Sequence, residues 1–350
     1  MDNKLNGIEL LAALTLIPGP SGCEDMVAAY IKEYLSGIIS GVRTDKLGNV
    51  IAHMEGEDSS RRLMVCAHMD EVGFMVTEID DEGNLRFSPV GGIDPRVLCG
   101  RRVTIMSKDG SRRINGLISS KPIHLQNADE RGKATKVDGM YIDIGADDGD
   151  MARHSVSIGD YGTFISDFYL MGENKMKGKA IDDRLGCAVM LDTITAFVRE
   201  GKKPKYDTYF AFTVREEVGI SGANTAAFEI KPDYALILES TAVADIADVP
   251  PEGRVAELGA GGVISLVDRA TVYDHGFVTW ALELAEKRSI AVQVKKFVSG
   301  GNDAGAIHRS RAGVKTLALS APTRYLHTAS TVADTRDYTA IAALVRAVCE

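Results

Sequence analysis

Cysteine is scarce in this chain, with five residues in 350, at Cys23, Cys66, Cys99, Cys187 and Cys349. They are odd in number, widely scattered and free of any Cys-x-x-Cys spacing. That excludes a disulfide framework and leaves free thiols suited to a reducing compartment, so the expected location is the cytoplasm. Long apolar runs are also missing. None approaches the roughly 20 residues of a membrane-spanning helix, and no membrane partner is expected. The first ten residues are polar and charged and lack the apolar core of a signal peptide. A basic block is absent too. The 40 Lys and Arg are outnumbered by 49 Asp and Glu, for a net charge of −9. This argues against a nucleic-acid partner held through phosphate contacts. There is no internal repeat and no low-complexity segment.

What remains is an ordinary globular composition, 45% apolar and 25% charged, too apolar for a disordered chain. Length alone suggests about two domains. Leu5, Ile8, Leu11 and Ala12 recur at helical spacing until Pro18-Gly19-Pro20 breaks the pattern. Ser21 with Glu24 three residues later reads as a capping box opening a second helix over Met26 to Leu35. Leu63 to Ala67 is continuously apolar, as a strand buried on both sheet faces should be. From about Val72 to Phe168, short β-rich runs alternate with Gly, Asp, Asn and Pro turns, which predicts a small barrel or sandwich. The polar stretch Gln126 to Val137 reads as a loop. After Asp182 the texture reverts to alternating helix and strand, with helices over Leu185–Arg199, Phe277–Lys287 and Tyr338–Val348. The expected fold is α/β, a mixed sheet sandwiched by helices, formed by residues 1–71 and 166–350 and interrupted by a β-barrel insertion at 72–165.

Ligand-type residues follow four of the predicted apolar strands. His68-Met69-Asp70 follows Leu63–Ala67. Glu216-Glu217 follows Thr208–Val214, Glu239 follows Tyr234–Leu238, and His327 lies just beyond Val314–Leu319. In open α/β sheets the carboxyl edge is where sites assemble. Asp182-Asp183 opens a further helix. Two His and several carboxylates suit divalent ions such as Zn²⁺, Co²⁺ or Mn²⁺. A carboxylate shared by two ions, with a neighbouring free one to move a proton, is the equipment of a dinuclear hydrolase. Glu216-Glu217 suits that division of labour. Asp70, two residues from His68, is placed to accept its ring N–H. Each motif alone has a bland reading: a loop His, a solvated Glu pair, a helix start with acids in its first turn. Their joint occurrence at several strand ends favours the hydrolase. Gly300 to Gly305 reads as a Gly-rich loop without the Lys-Ser/Thr ending of a phosphate loop.

Ile17-Pro18-Gly19-Pro20-Ser21-Gly22-Cys23-Glu24, Ala67-His68-Met69-Asp70-Glu71-Val72-Gly73-Phe74, Lys179-Ala180-Ile181-Asp182-Asp183-Arg184, Val214-Arg215-Glu216-Glu217-Val218-Gly219, Asn302-Asp303-Ala304 and Pro322 to His327 together resemble the M42 glutamyl-aminopeptidase family. The likeness implies a zinc-aminopeptidase fold with a PDZ-like insertion used in assembly. It implies two divalent metal ions per subunit, Zn²⁺ or Co²⁺ first and Mn²⁺ next. Asp182 would bridge them, His68 and Glu239 would complete one site, and Glu217 and His327 the other. Glu216 would be the general base and Asp70 the His-orienting acid, and the peptide after Asp182 would be cis. The family usually has Asp where this chain has Glu239. The implied activity is removal of N-terminal residues from short peptides by a metal-activated hydroxide, in a homo-oligomer, a tetrahedral dodecamer. The rival readings are another amide hydrolase such as a deacylase, or a non-catalytic peptide-binding or assembly protein on the same fold.

Overall fold

The computed structural model describes residues 4–350; residues 1–3, the start of the expected 1–71 segment, lie outside it. Leu63 to Ala67 are each at most 4% exposed. A run with no polar face is stable as a strand only when both sides are covered. These residues end the strand Asp58–His68, inside an eight-stranded mixed sheet. Across that sheet the order is Val42–Thr44, Val50–Met54, Tyr206–Thr213, Asp58–His68, Tyr234–Ala242, Lys315–Thr323, Gly262–Ile264 and Val292–Val294. The four central strands, from Tyr206–Thr213 to Lys315–Thr323, are mutually parallel. Their carboxyl ends therefore share one edge.

Helices cover both faces. Ile181–Glu200 packs on one face with Gly7–Leu16 and Thr335–Cys349. Gly186 makes the close approach possible, because a Cβ there would lie 2.8 Å from Leu238 Cβ. The opposite face carries Ser221–Ile230 and Ala304–Ile307. The fully buried Arg184 donates from Nε to Met69 O at 2.6 Å and from Nη1 to Leu14 O and Ile17 O at 2.6 and 3.0 Å. It ties the first helix to the end of the strand that carries His68. Among the described residues no helix is long and apolar enough to cross a membrane.

The segment between the strand Asp58–His68 and the helix Ile181–Glu200 closes a separate antiparallel barrel. Its strands follow the order Gly73–Ile79, Leu85–Val90, Met140–Asp143, Arg113–Ser120, Arg102–Met106 and Tyr161–Phe164. Pairing of Phe74 with Gly162 completes the ring. The barrel has its own core, in which Phe74 meets Phe87 and Phe164 edge-on at 5.3 and 5.1 Å. Truncating such a buried ring to Ala costs about 3–5 kcal/mol.

Three local expectations need correction. The loop expected at Gln126 to Val137 contains a short exposed helix, Ala128–Arg131, with a capping box between Asn127 and Glu130. The expected capping box at Ser21 and Glu24 does not form. The helix begins at Asp25, and Glu24 makes no side-chain cap. A small sheet of Tyr169–Met171, Lys175–Gly178 and Thr331–Asp334 went unforeseen. Its first strand is exposed throughout and so carries no alternating pattern.

Candidate metal centre

The shared carboxyl edge gathers the ligand-type residues. His68 is the last residue of its strand, Glu239 lies near the end of Tyr234–Ala242, and Glu216 and Glu217 follow Tyr206–Thr213. His327 lies beyond Lys315–Thr323 with a positive φ of 58°. Asp182 sits in their midst, before a cis peptide to Asp183 that opens the long helix. Its two oxygens face opposite ways. His68 Nε2 lies 3.3 Å from Oδ1 and 3.6 Å from Glu239 Oε1. His327 Nε2 lies 3.2 Å from Oδ2 and 3.2 Å from Glu217 Oε1. The result is two triads, His68–Asp182–Glu239 and Asp182–Glu217–His327, whose ligand atoms lie within 4.8 Å of one another in each.

Both rings are held by the nitrogen that faces away from the cluster. His68 Nδ1 is 3.0 Å from Asp70 O, and His327 Nδ1 is 2.7 Å from Gly92 O. A carbonyl oxygen only accepts, so Nδ1 carries a proton and Nε2 is presented to the carboxylates. Asp70 takes a different place from the one expected. Its carboxylate is 3.6 Å from His68 Nδ1, farther than its own main-chain oxygen. The carboxylate instead accepts from Ser21 Oγ at 2.5 Å and from the amides of Glu216 and Glu217 at 3.0 and 3.2 Å.

The electrostatics show a shortage of positive charge. Burial opposes a charged His68, but the nearby carboxylates of Asp182, Asp70 and Glu239 outweigh it and hold the ring well above its usual pKa. Burial likewise opposes His327, yet Asp182 and Glu217 push it up to about 11. Asp182 is held well below the usual range, because the two rings outweigh its burial. Burial, then repulsion from Asp182, raises Glu239. Burial also raises Glu217, with Asp182 adding and His327 opposing. Glu216 is pushed up to about 9 by burial, with His68 opposing and repulsion from Asp303, Glu217 and Asp70 adding.

His68 Nε2, Asp182 Oδ1, Glu217 Oε1 and Glu239 Oε2 are buried without a hydrogen-bond partner. Each such atom costs about 1–3 kcal/mol when left unmet. All four belong to the two triads, and a divalent cation in each triad would satisfy them. The donor set fits that group: imidazole nitrogen and carboxylate oxygen, without thiolate.

The inserted barrel closes one side. Val72 and Phe164 line the same small cavity as Asp182, Glu217 and His327. Gly91 enters the left-handed region with φ of 88°, and a Cβ there would meet Val72 Cγ1 at 2.8 Å and Glu217 Cβ at 3.3 Å. Asp303 underlies the strand ends, accepting from Thr213 Oγ1 at 2.6 Å and Cys66 Sγ at 3.3 Å. Only the family resemblance singled it out in the sequence. Glu71 and Lys179, paired and both buried, lie in the resembling segments but were given no role there, since burial of a charge does not show in a local pattern.

A profile of the M42 glutamyl aminopeptidase family matches residues 48–344. The chain belongs to the M42 family. His68, Asp70, Asp182, Glu216, Glu217, Glu239 and His327 all fall inside that match. A putative aminopeptidase of Acetivibrio thermocellus, similar along its whole length, is 38% identical over 343 residues, 97% of this chain and 98% of its own. The crystal structure of a TET aminopeptidase from a marine sediment archaeon of the Thaumarchaeota superposes with a TM-score of 0.94 at 34% identity, covering 98% of this chain and 95% of that one. The Pyrococcus horikoshii TET1 peptidase, described as assembling into a tetrahedron or a large octahedral shell, gives 0.86 at 33% identity over 98% of both chains. The mixed sheet, its helices and the closed barrel are thus the architecture of M42 aminopeptidases.

Proposed function

We propose that this M42 member is a dinuclear metal-dependent aminopeptidase that removes N-terminal residues from short peptides. The observation that carries the reading is the opposed pair of Asp182 oxygens, each facing its own His and Glu. His68, Asp182 and Glu239 would hold one divalent ion, and Asp182, Glu217 and His327 the other, with Zn²⁺ or Co²⁺ as the first candidates and Mn²⁺ next. The chemistry such ions supply when bound is polarisation of the scissile carbonyl, acidification of a water and a return of Glu216 towards its ionised form.

Glu216 is then the proton carrier. Its carboxylate accepts a proton from the attacking water and returns it to the departing amine. Asp70 holds the backbone of the turn that carries it. Val72 and Phe164 shield the cluster on the barrel side. The barrel is read as an inserted assembly domain between residues 1–71 and 166–350. A homo-oligomer of the tetrahedral, twelve-subunit kind, located in the cytoplasm, completes the proposal. The oligomer is supported by the tetrahedron described for the Pyrococcus horikoshii TET1 peptidase and the dodecamer described for PhTET1-12s.

The test is release of free amino acids from unblocked and N-acetylated peptides with Zn²⁺, Co²⁺ or Mn²⁺ supplied. The expected result is cleavage of the unblocked peptides alone. Equal cleavage of both would turn the reading towards a deacylase or other amide hydrolase. Glu216→Gln should lower turnover by about 10²–10⁴-fold with metal content retained, whereas a non-catalytic protein would show no turnover to lose.

A further inference from the structure

The turn that carries Glu216 is built in an unusual way. Four consecutive amides, those of residues 214 to 217, donate to side-chain oxygens rather than to a neighbouring strand or helix. Val214 N donates to Asn49 Oδ1 at 3.0 Å, and Arg215 N to Glu24 Oε1 at 3.1 Å. Glu216 N and Glu217 N donate to the two oxygens of Asp70 at 3.0 and 3.2 Å. Arg215 has a φ of 58°, a conformation an ordinary side chain adopts only when its surroundings impose it. The acceptors come from three distant segments.

Two of those contacts trace back to the loop before the second helix. Ser21 Oγ donates to Asp70 Oδ2 at 2.5 Å. Glu24 Oε1 accepts from Gly22 N at 2.8 Å as well as from Arg215 N. The loop is itself pinned to the strand end. Ser21 N donates to Glu71 O at 3.2 Å, and Glu71 N to Gly19 O at 3.0 Å. Ser21, Glu24 and Asp70 are 4%, 6% and 0% exposed. Neither Ser21 nor Glu24 caps the helix that follows. Their side chains are committed to the turn and to the acid beneath it.

We infer that Ser21 and Glu24 are positioning residues for Glu216. They fix the backbone of residues 215–217 so that one carboxylate of the pair joins the metal cluster and the other faces the reacting water. This rests on the reading of Glu216 as the base. A displacement of about 1 Å at such a group is enough for a hundredfold loss of rate.

The test uses the full-length, metal-loaded protein and an unblocked aminoacyl p-nitroanilide. Glu24→Ala should lower kcat by roughly ten- to hundredfold, with KM and metal content unchanged. Glu24→Gln, which keeps an acceptor oxygen for both amides, should recover kcat to within about threefold of wild type. Ser21→Ala should lower kcat at least about threefold, again without loss of metal. A kcat within twofold of wild type in both Glu24→Ala and Ser21→Ala overturns the proposal. So does a loss of kcat matched by an equal loss of metal. Should Glu24→Ala fail to fold, the Ser21→Ala result alone decides by the same criteria. If wild type is active, Glu216→Gln inactive and Glu24→Ala normal, only the positioning role falls. If Glu216→Gln turns over like wild type, the base assignment falls first.

Discussion

The two halves of the candidate metal centre are made differently. His68 and Glu239 belong to central strands, with side chains 1% and 9% exposed, and His68 is steadied by the main chain two residues on. His327 sits in a loop beyond its strand, its side chain 28% exposed, and is steadied by Gly92 of the barrel segment. One half joins two strand residues to Asp182 at the start of the long helix and takes nothing from the barrel. The other is complete only when the insertion is docked. The contrast separates a buried triad from a more accessible one whose geometry depends on a second core.

The most severe way to break this comparison is Asp182→Ala, which removes the ligand common to both halves. Metal content should fall from two ions per chain to none, and activity to background, as read by elemental analysis and peptide turnover. Single His substitutions should then separate the halves. His68→Ala strips a buried cluster of its internal cation and should destabilise the metal-free protein by about 3–5 kcal/mol in denaturant unfolding. His327→Ala, at the more exposed position, should leave stability closer to wild type and one ion bound, with partial recovery of activity in excess metal. The halves should look equally strong if the burial contrast has no energetic meaning.

A pH series sharpens the same point. Glu216 and His327 are both raised in the metal-free fold, to about 9 and about 11. A group raised on folding contributes stability that is full below its unfolded value and is lost as pH rises through the folded one. For Glu216 the window opens near pH 4.5, and for His327 near pH 6.5. The chelator-treated protein should therefore melt several degrees lower at pH 9 than at pH 6, and metal-loaded protein should show a smaller fall. An equal fall in both forms would detach this instability from the cluster.

Smaller effects should follow from the barrel side. Gly91→Ala forces a Cβ against Val72 and Glu217 where φ is 88°. It should weaken the His327 half about tenfold in metal titration and spare the His68 half. Glu239→Asp is the mildest change. It shortens one ligand by a methylene and should shift affinity at the His68 half by only a few-fold, whereas full occupancy after Glu239→Ala would remove Glu239 from the ligand set.

Much of this was legible in the sequence, for reasons that differ by residue. Leu63 to Ala67 announced a buried strand because an unbroken apolar run leaves little alternative. The placing of His68, Glu217, Glu239 and His327 on one edge followed from parallel strands ending together. Asp182 was different: its surroundings resemble an ordinary helix start, and only the resemblance marked it as central. Ser21 and Glu24 were misread outright. A hydroxyl and a carboxylate three residues apart are the same chemistry whether they bind their own helix or partners 49 and 191 residues away. Local rules fail there because tertiary partners outbid the local ones, which is common where a site is being held in shape. Tyr169–Met171 escaped notice for the opposite reason, since an exposed strand has no burial pattern to reveal it.

The order of the ligands along the chain has a consequence for biosynthesis. His68 emerges early, then the barrel, which has a core of its own and can fold as a unit during translation. Asp182, Glu217 and Glu239 follow, and His327 comes last of the set. The central strand Lys315–Thr323 that leads to it is equally late. A chain halted before residue 315 therefore has neither a finished sheet nor a second triad. Under the proposed function, hydrolysis waits until every strand of the main sheet has been made.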